Sequence, residues 1–196
     1  WTGKAPAYAS WSIFERLASH TKAPYSAYVQ AGPWRTICAS PERYLAKRGN
    51  TLHSHPIKGT VKRGKTEEHD RRLAAELIEH PKEIAEHVML VDLARNDVGR
   101  VVEFGSLQID EMMTLEKYSH VMHLTSQVSG ALAEGRSAID VLRATLPAGT
   151  LSGAPKVRAM EIIDELELEK RGPYAGCVGY FSAAGEMDTC IVLRTA

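Results

Sequence analysis

Four extended runs follow one another with only short turns between them, and this constrains the fold more than any other feature of the sequence. Residues 24–30, 34–39, 43–47 and 51–57 read as strands, with the turn residues Gly32-Pro33 and Ser40-Pro41 separating the first three. A parallel crossover takes a dozen residues or more, so connections this short favour an antiparallel sheet. The remainder adds helices. Residues 10–19 read as a short helix with Ser10 as N-cap. Residues 67–80 place Leu73, Leu77 and Ile78 at helical spacing, and Pro81 suits the first turn of a second helix running to residue 96. Residues 61–68 read as a polar loop. Strand-like segments return at 106–109 and 120–128, helices at 138–145 and 155–168, and a hairpin pairs 176–181 with 188–194 around Ala184-Gly185. The expected class is α+β with large antiparallel sheets, and no internal repeat or linker divides the chain.

Charge and cysteine content exclude several functions. The 24 basic and 24 acidic residues cancel, which gives no polyanion-binding surface and argues against a nucleic-acid partner. Cys38, Cys177 and Cys190 are odd in number and lack CxxC spacing, so buried reduced thiols are expected rather than a disulfide framework or zinc ribbon. There is no signal peptide and no apolar run of membrane-spanning length, which leads to the expectation of a cytoplasmic protein without a membrane partner. The chain opens on Trp1 and stops at Ala196 directly after a strand-like run, so it is expected to be part of a longer protein.

Several residues stand where chemistry is plausible. In Pro56-Ile57-Lys58-Gly59-Thr60 the proline ends an extended run, the glycine permits close approach of a ligand, and Lys58 between them has little room to reach water. A lysine that loses hydration is pushed toward the neutral, nucleophilic amine. Glu86 shares a helix face with Met89, Leu90 and Leu93, and from Val88 to Ala94 the helix is apolar nearly all round. A carboxylate there must be paired, protonated or metal-bound. Glu42, after Ser40-Pro41, is a second acidic candidate, though by itself it reads better as a strand-edge charge. His123 lies in the strand-like Val121-Met122-His123-Leu124-Thr125-Ser126, where a hydrogen-bonded core histidine is the commoner outcome. The loop from Leu146 to Lys156 is rich in small residues and opens a helix, which suits a carboxylate ligand, but the Gly-Lys-Ser/Thr core of a nucleotide loop is absent. The histidines are scattered and HExxH is missing, leaving only a hard cation on a few carboxylates and the substrate as a metal option.

Taken in order, these segments resemble the chorismate-utilising enzymes: anthranilate synthase component I, aminodeoxychorismate synthase component I and their isochorismate and salicylate relatives. The stretches that carry the resemblance are Ser40-Pro41-Glu42, Pro56-Ile57-Lys58-Gly59-Thr60 with Arg63-Gly64, and the helix from Glu86 to Asp97. His123-Leu124-Thr125-Ser126, the loop and helix from Pro147 to Met160, Arg171-Gly172-Pro173-Tyr174 and Leu193-Arg194-Thr195 continue it. The resemblance implies a two-sheet α+β sandwich with outer helices, of which residues 1–196 would be a partial chorismate-binding catalytic domain. It implies Mg2+ gripping a chorismate carboxylate with Glu86 as a ligand, and His123 near the reacting ring. Thr150, Tyr174 and Arg194 would hold the substrate's carboxylates, and Glu42 would lie beside the reaction centre, in support of the metal site.

Lys58 distinguishes the branches. Anthranilate synthases usually carry alanine there, whereas lysine is similar to the aminodeoxychorismate synthase pattern, in which it attacks the ring and holds a covalent intermediate. The implied product is 4-amino-4-deoxychorismate, a folate precursor, with ammonia from a glutamine amidotransferase, fused or separate. Anthranilate synthase with an unusual lysine is the alternative, and a non-catalytic subunit that docks an amidotransferase is a second. In the resemblance a glycine-rich segment and further acidic metal ligands follow the arginine strand, beyond Ala196, so the chain by itself is expected to be inactive or poorly stable.

Overall fold

A computed structural model describes residues 7–196. Helix α1 (Ala7–Thr21) precedes the strands β1 (Tyr25–Ala31), β2 (Trp34–Ser40), β3 (Arg43–Arg48), β4 (Thr51–Ser54) and β5 (Ile57–Lys62). Helices α2 (Glu67–Glu79) and α3 (Pro81–Gly99) follow, then the long strands β6 (Gln108–Lys117) and β7 (Val121–Ala131). The short helices α4 (Ala138–Thr145), α5 (Gly149–Ser152) and α6 (Lys156–Leu166) lead to the hairpin β8 (Cys177–Phe181) and β9 (Met187–Ile191). The class is α+β, and all strand pairs among the described residues are antiparallel.

β1 and β2 form a two-stranded sheet; the other strands form a seven-stranded one. Its organising member is β7, buried along most of its length. One edge of β7 takes β6. The other takes β4 and then β5 in tandem, with Ser54 opposite Val128 and Ile57 opposite Thr125. The run expected as one strand over 51–57 is therefore broken at His55-Pro56, where proline removes a backbone donor. β3 and the β8–β9 hairpin continue the sheet beyond β4. The apolar core packs Leu45, Leu52, Val128, Met187 and Ile191 of the sheet against Val91 and Val98 of α3 and Val141 of α4.

Local chemistry explains the helix boundaries. Thr66 caps α2 by accepting from the His69 N–H, Pro81 occupies the first turn of α3, and Ser137 and Asp140 form a reciprocal capping box on α4. Three expectations are corrected. Ser10 is not an N-cap but lies inside α1, its hydroxyl 2.8 Å from that of Tyr28. The expected loop 61–68 begins as strand, because β5 runs to Lys62. The expected segment 106–109 is only the start of the ten-residue β6. All three cysteines are free thiols, with Cys38 and Cys190 buried.

Candidate active site

The sequence Pro56-Ile57-Lys58-Gly59-Thr60 forms a β-bulge. The register with β7 passes from Ile57–Thr125 to Thr60–His123, so Lys58 and Gly59 together face Leu124. Gly59 takes a φ of +91°, and a Cβ on it would meet Leu124 and Leu77 side-chain carbons at 3.3 Å. Glycine is thus required by backbone conformation and by space. A bulge leaves ladder groups unpaired. Here the Lys58 carbonyl accepts from His87 Nδ1 at 3.2 Å. Losing a donor of this kind costs about 1–3 kcal/mol where the acceptor is shielded from water.

Lys58 Nζ lies 2.6 Å from Glu86 Oε2, with both side chains about one-third exposed. The Glu86 bond holds the lysine pKa above its ordinary value, outweighing the partial burial that lowers it. The same contact holds the Glu86 carboxyl below its usual range, with Lys82 at 3.8 Å assisting. The expectation of a desolvated, neutral amine is therefore corrected: at rest Lys58 is an ion-paired ammonium. The surroundings of Glu86 differ from expectation too. Val88 and Met89 are exposed, and the buried stripe of α3 begins one residue later, at His87, and continues through Leu90, Val91 and Val98.

His123 stands opposite Thr60, and its Nδ1 is 2.8 Å from the threonine hydroxyl. Burial lowers its pKa first, and the Arg194 charge adds to the effect. His123 opens on the face of β7 that carries Thr125, whose hydroxyl donates to Glu116 Oε1 at 3.1 Å, while the Tyr118 hydroxyl donates to Glu116 Oε2 at 2.5 Å. The Tyr118 ring meets that of His123 edge-on at 5.5 Å. Ser126, three residues along β7, faces the opposite side and lies 2.7 Å from His87 Nε2.

Glu42 is 6% exposed and accepts from the Thr150 hydroxyl at 2.8 Å. Burial pushes its carboxyl up to about 7, opposed by the Thr150 bond and by the Ile57 N–H. α5 brings Thr150 within reach because Gly149 lies so close to Leu93 that any Cβ would collide with it. A cavity of about 30 Å3 adjoins Glu42, Tyr44, His55, Asp97 and Thr150, room for a water or two and far less than a ring-sized ligand needs. Beside it, Lys156 Nζ pairs with buried Asp97 at 2.6 Å and donates to the Thr145 carbonyl.

β5 is thus the hub of the predicted residues: Glu42 meets the Ile57 N–H, Glu86 meets Lys58, and His123 meets Thr60. Arg194 is exposed, with a φ of +51°, and its charge is felt at His123. Tyr174 is 47% exposed and stands apart, its ring beneath the Arg171 guanidinium at 5.7 Å. Sequence reasoning missed His87, Ser126, Glu116 and Tyr118. His87 was detectable as the start of the 3.6-residue buried stripe of α3.

Comparison with known proteins places this geometry in a family. The family model described as chorismate binding enzyme matches residues 2–196. The chain is 51% identical over 185 residues to anthranilate synthase component 1 of Acetivibrio thermocellus, covering 94% of this chain and 37% of that protein. It is 50% identical over 185 residues to aminodeoxychorismate synthase component 1 of Bacillus subtilis (strain 168), covering 94% and 39%. The crystal structure of anthranilate synthase component I from Streptococcus pneumoniae TIGR4 superposes with a TM-score of 0.85 at 44% identity, over all of this chain and 42% of that one. The chain belongs to the chorismate-binding enzyme family, and it spans about two-fifths of the length of these relatives. Among the described residues, no helix is long and apolar enough to cross a membrane.

Proposed function

We propose that the chain carries the Lys58-centred part of an aminodeoxychorismate synthase component 1 site, which converts chorismate to 4-amino-4-deoxychorismate, a folate precursor, in the cytoplasm. The observation that carries this reading is Lys58 itself, set on a bulge with its ammonium on Glu86 and its carbonyl on His87. Because the resting lysine is protonated, reaction requires that it leave Glu86 and lose a proton. The free amine then forms a bond to the ring as the bond to the 4-hydroxyl breaks, and the hydroxyl departs as water with a proton. Glu42, with a carboxyl raised to about 7, can supply that proton near neutrality. Ammonia, delivered by a glutamine amidotransferase, forms the 4-amino bond as the lysine is released. The same reading assigns His123 to the ring and Thr150, Tyr174 and Arg194 to the carboxylates.

Mg2+ belongs to this reading, and an oxygen donor such as Glu86 suits a hard cation whose charge would offset that of the substrate carboxylate. Among the described residues, however, no three acidic, histidine or cysteine side chains gather into a metal site, and Glu86 Oε2 already accepts from Lys58. These residues do not compose a magnesium site by themselves.

A second reading, anthranilate synthase component 1, is supported by likeness to that enzyme at similar identity. Product analysis separates the two. Chorismate, ammonium and Mg2+ are supplied to this chain, alone and within a polypeptide extended to the length of its relatives. Appearance of 4-amino-4-deoxychorismate, lost on Lys58→Ala, supports the proposal; anthranilate as the product, or full activity without Lys58, overturns it.

A further inference from the structure

We infer that His87 is a positioning residue for Lys58, holding the bulge so that the amine points at Glu86; its relevance to catalysis rests on the reading of Lys58 given above. Glu86 and His87 are consecutive on α3 and grip the same residue at two ends, one through the ammonium at 2.6 Å and the other through the carbonyl at 3.2 Å. Consecutive helical side chains diverge by about 100°. They can meet one residue only if its backbone and side chain leave the strand in different directions, as they do here. A carbonyl oxygen only accepts, so Nδ1 of His87 must carry the proton. Nε2 is then an acceptor, and its partner at 2.7 Å is the Ser126 hydroxyl. Ser126 can give its proton because its oxygen already accepts from the Met113 N–H at 2.9 Å, and its other acceptor is the weak thioether of Met112 at 3.7 Å. The chain from Met113 through Ser126 and His87 to Lys58 therefore runs in one direction and ties the bulge of β5 to β7 and β6. His87 is fully buried. Without the Nδ1 donor the Lys58 carbonyl loses this partner, and the bulge loses a contact that keeps Lys58 on the Glu86 side.

Isosteric replacement separates this role from mere core filling. Asparagine places an amide N–H where Nδ1 stands and can reach the Lys58 carbonyl; glutamine places its amide near Nε2, toward Ser126. The readout is the rate at which Lys58 is acetylated by N-acetoxysuccinimide, followed by peptide mass spectrometry and normalised to the unfolded protein. His87→Leu and His87→Gln are expected to accelerate acetylation of Lys58 about two- to fivefold, the effect of releasing an ion pair whose side chains are about one-third exposed. His87→Asn is expected to stay at the wild-type rate. Equal rates in the asparagine and glutamine variants overturn the inference. So does a wild-type rate in a leucine variant that circular dichroism shows to be folded, or failure of the asparagine variant to fold. If the leucine variant does not fold, the asparagine–glutamine comparison decides. Labelling needs neither chorismate nor turnover, so this result stands or falls separately from the product assay.

Discussion

Lys58 Nζ and Glu86 Oε2 are 2.6 Å apart, so the residue proposed as the nucleophile is stored as one half of an ion pair. Its partner is also the carboxylate proposed for the metal, and one contact links the two roles. Any species that draws Glu86 away lowers the Lys58 pKa toward its ordinary value.

Glu86→Gln removes the leading cause of the raised lysine pKa. The expected outcome is a lower Lys58 pKa, read by NMR titration of 13C-methylated lysines, with thermal stability little changed. Both side chains are about one-third exposed, and pairs of that kind contribute about 0–1 kcal/mol. Lys58→Ala should for the same reason leave the fold intact while removing the proposed amination. A large loss of stability would show that the pair is structural.

Glu42 makes stability depend on pH. Its folded pKa of about 7 lies above the ordinary value of 4.5, so the folded state binds the proton more tightly. Its contribution is complete below about pH 4.5 and is lost as pH rises through about 7. The shift corresponds to about 3 kcal/mol at most. Urea denaturation of Glu42→Gln across this window should show a flatter profile than the wild type, and identical slopes would contradict the assignment.

Gly59→Ala combines a left-handed φ of +91° with contacts at 3.3 Å to Leu124 and Leu77. A loss of about 1–3 kcal/mol is expected, with Lys58 displaced from Glu86. Denaturant midpoints together with Lys58 acetylation would register both effects, and neutrality would show that the bulge tolerates a side chain.

Lys156→Met leaves Asp97 without its cation in a site where both side chains are less than 15% exposed. The expected destabilisation is about 3 kcal/mol, and adding Asp97→Leu should recover part of it, because an uncompensated buried charge costs more than the pair contributes. An additive double mutant would argue against coupling.

The local folding rules were legible in the sequence. The β1–β2 and β3–β4 hairpins followed from the short turns, and the start of α3 from Pro81, but the short Ser40-Pro41 connection did not pair β2 with β3, which lie in different sheets. β6 was largely hidden because Asp110, Glu111, Glu116 and Lys117 interrupt any apolar alternation, and the strand is mostly exposed. The break in the run 51–57 was missed because Pro56 can end a strand or interrupt one. Positions within the site were visible one by one as motif residues, but not who meets whom. A shift of one residue in helical phase exchanged the surroundings of Glu86 and His87, since 100° separates a partly exposed carboxylate from a fully buried imidazole. The pairing of Thr60 with His123 depends on a sheet register that spans 63 residues, which no local pattern encodes.

The tandem seating of β4 and β5 on one edge of β7 has a consequence for folding order. β5 has no other strand partner among the described residues, so the register of its bulge is not fixed until β7 arrives. Two helices intervene, and their local contacts can form first. Assembly of the Lys58 bulge therefore waits on a non-local pairing, 63 residues apart at Thr60 and His123, although the β3–β9 pairing spans more of the chain. Slowing β7 should delay the maturation of the site more than the appearance of helical structure.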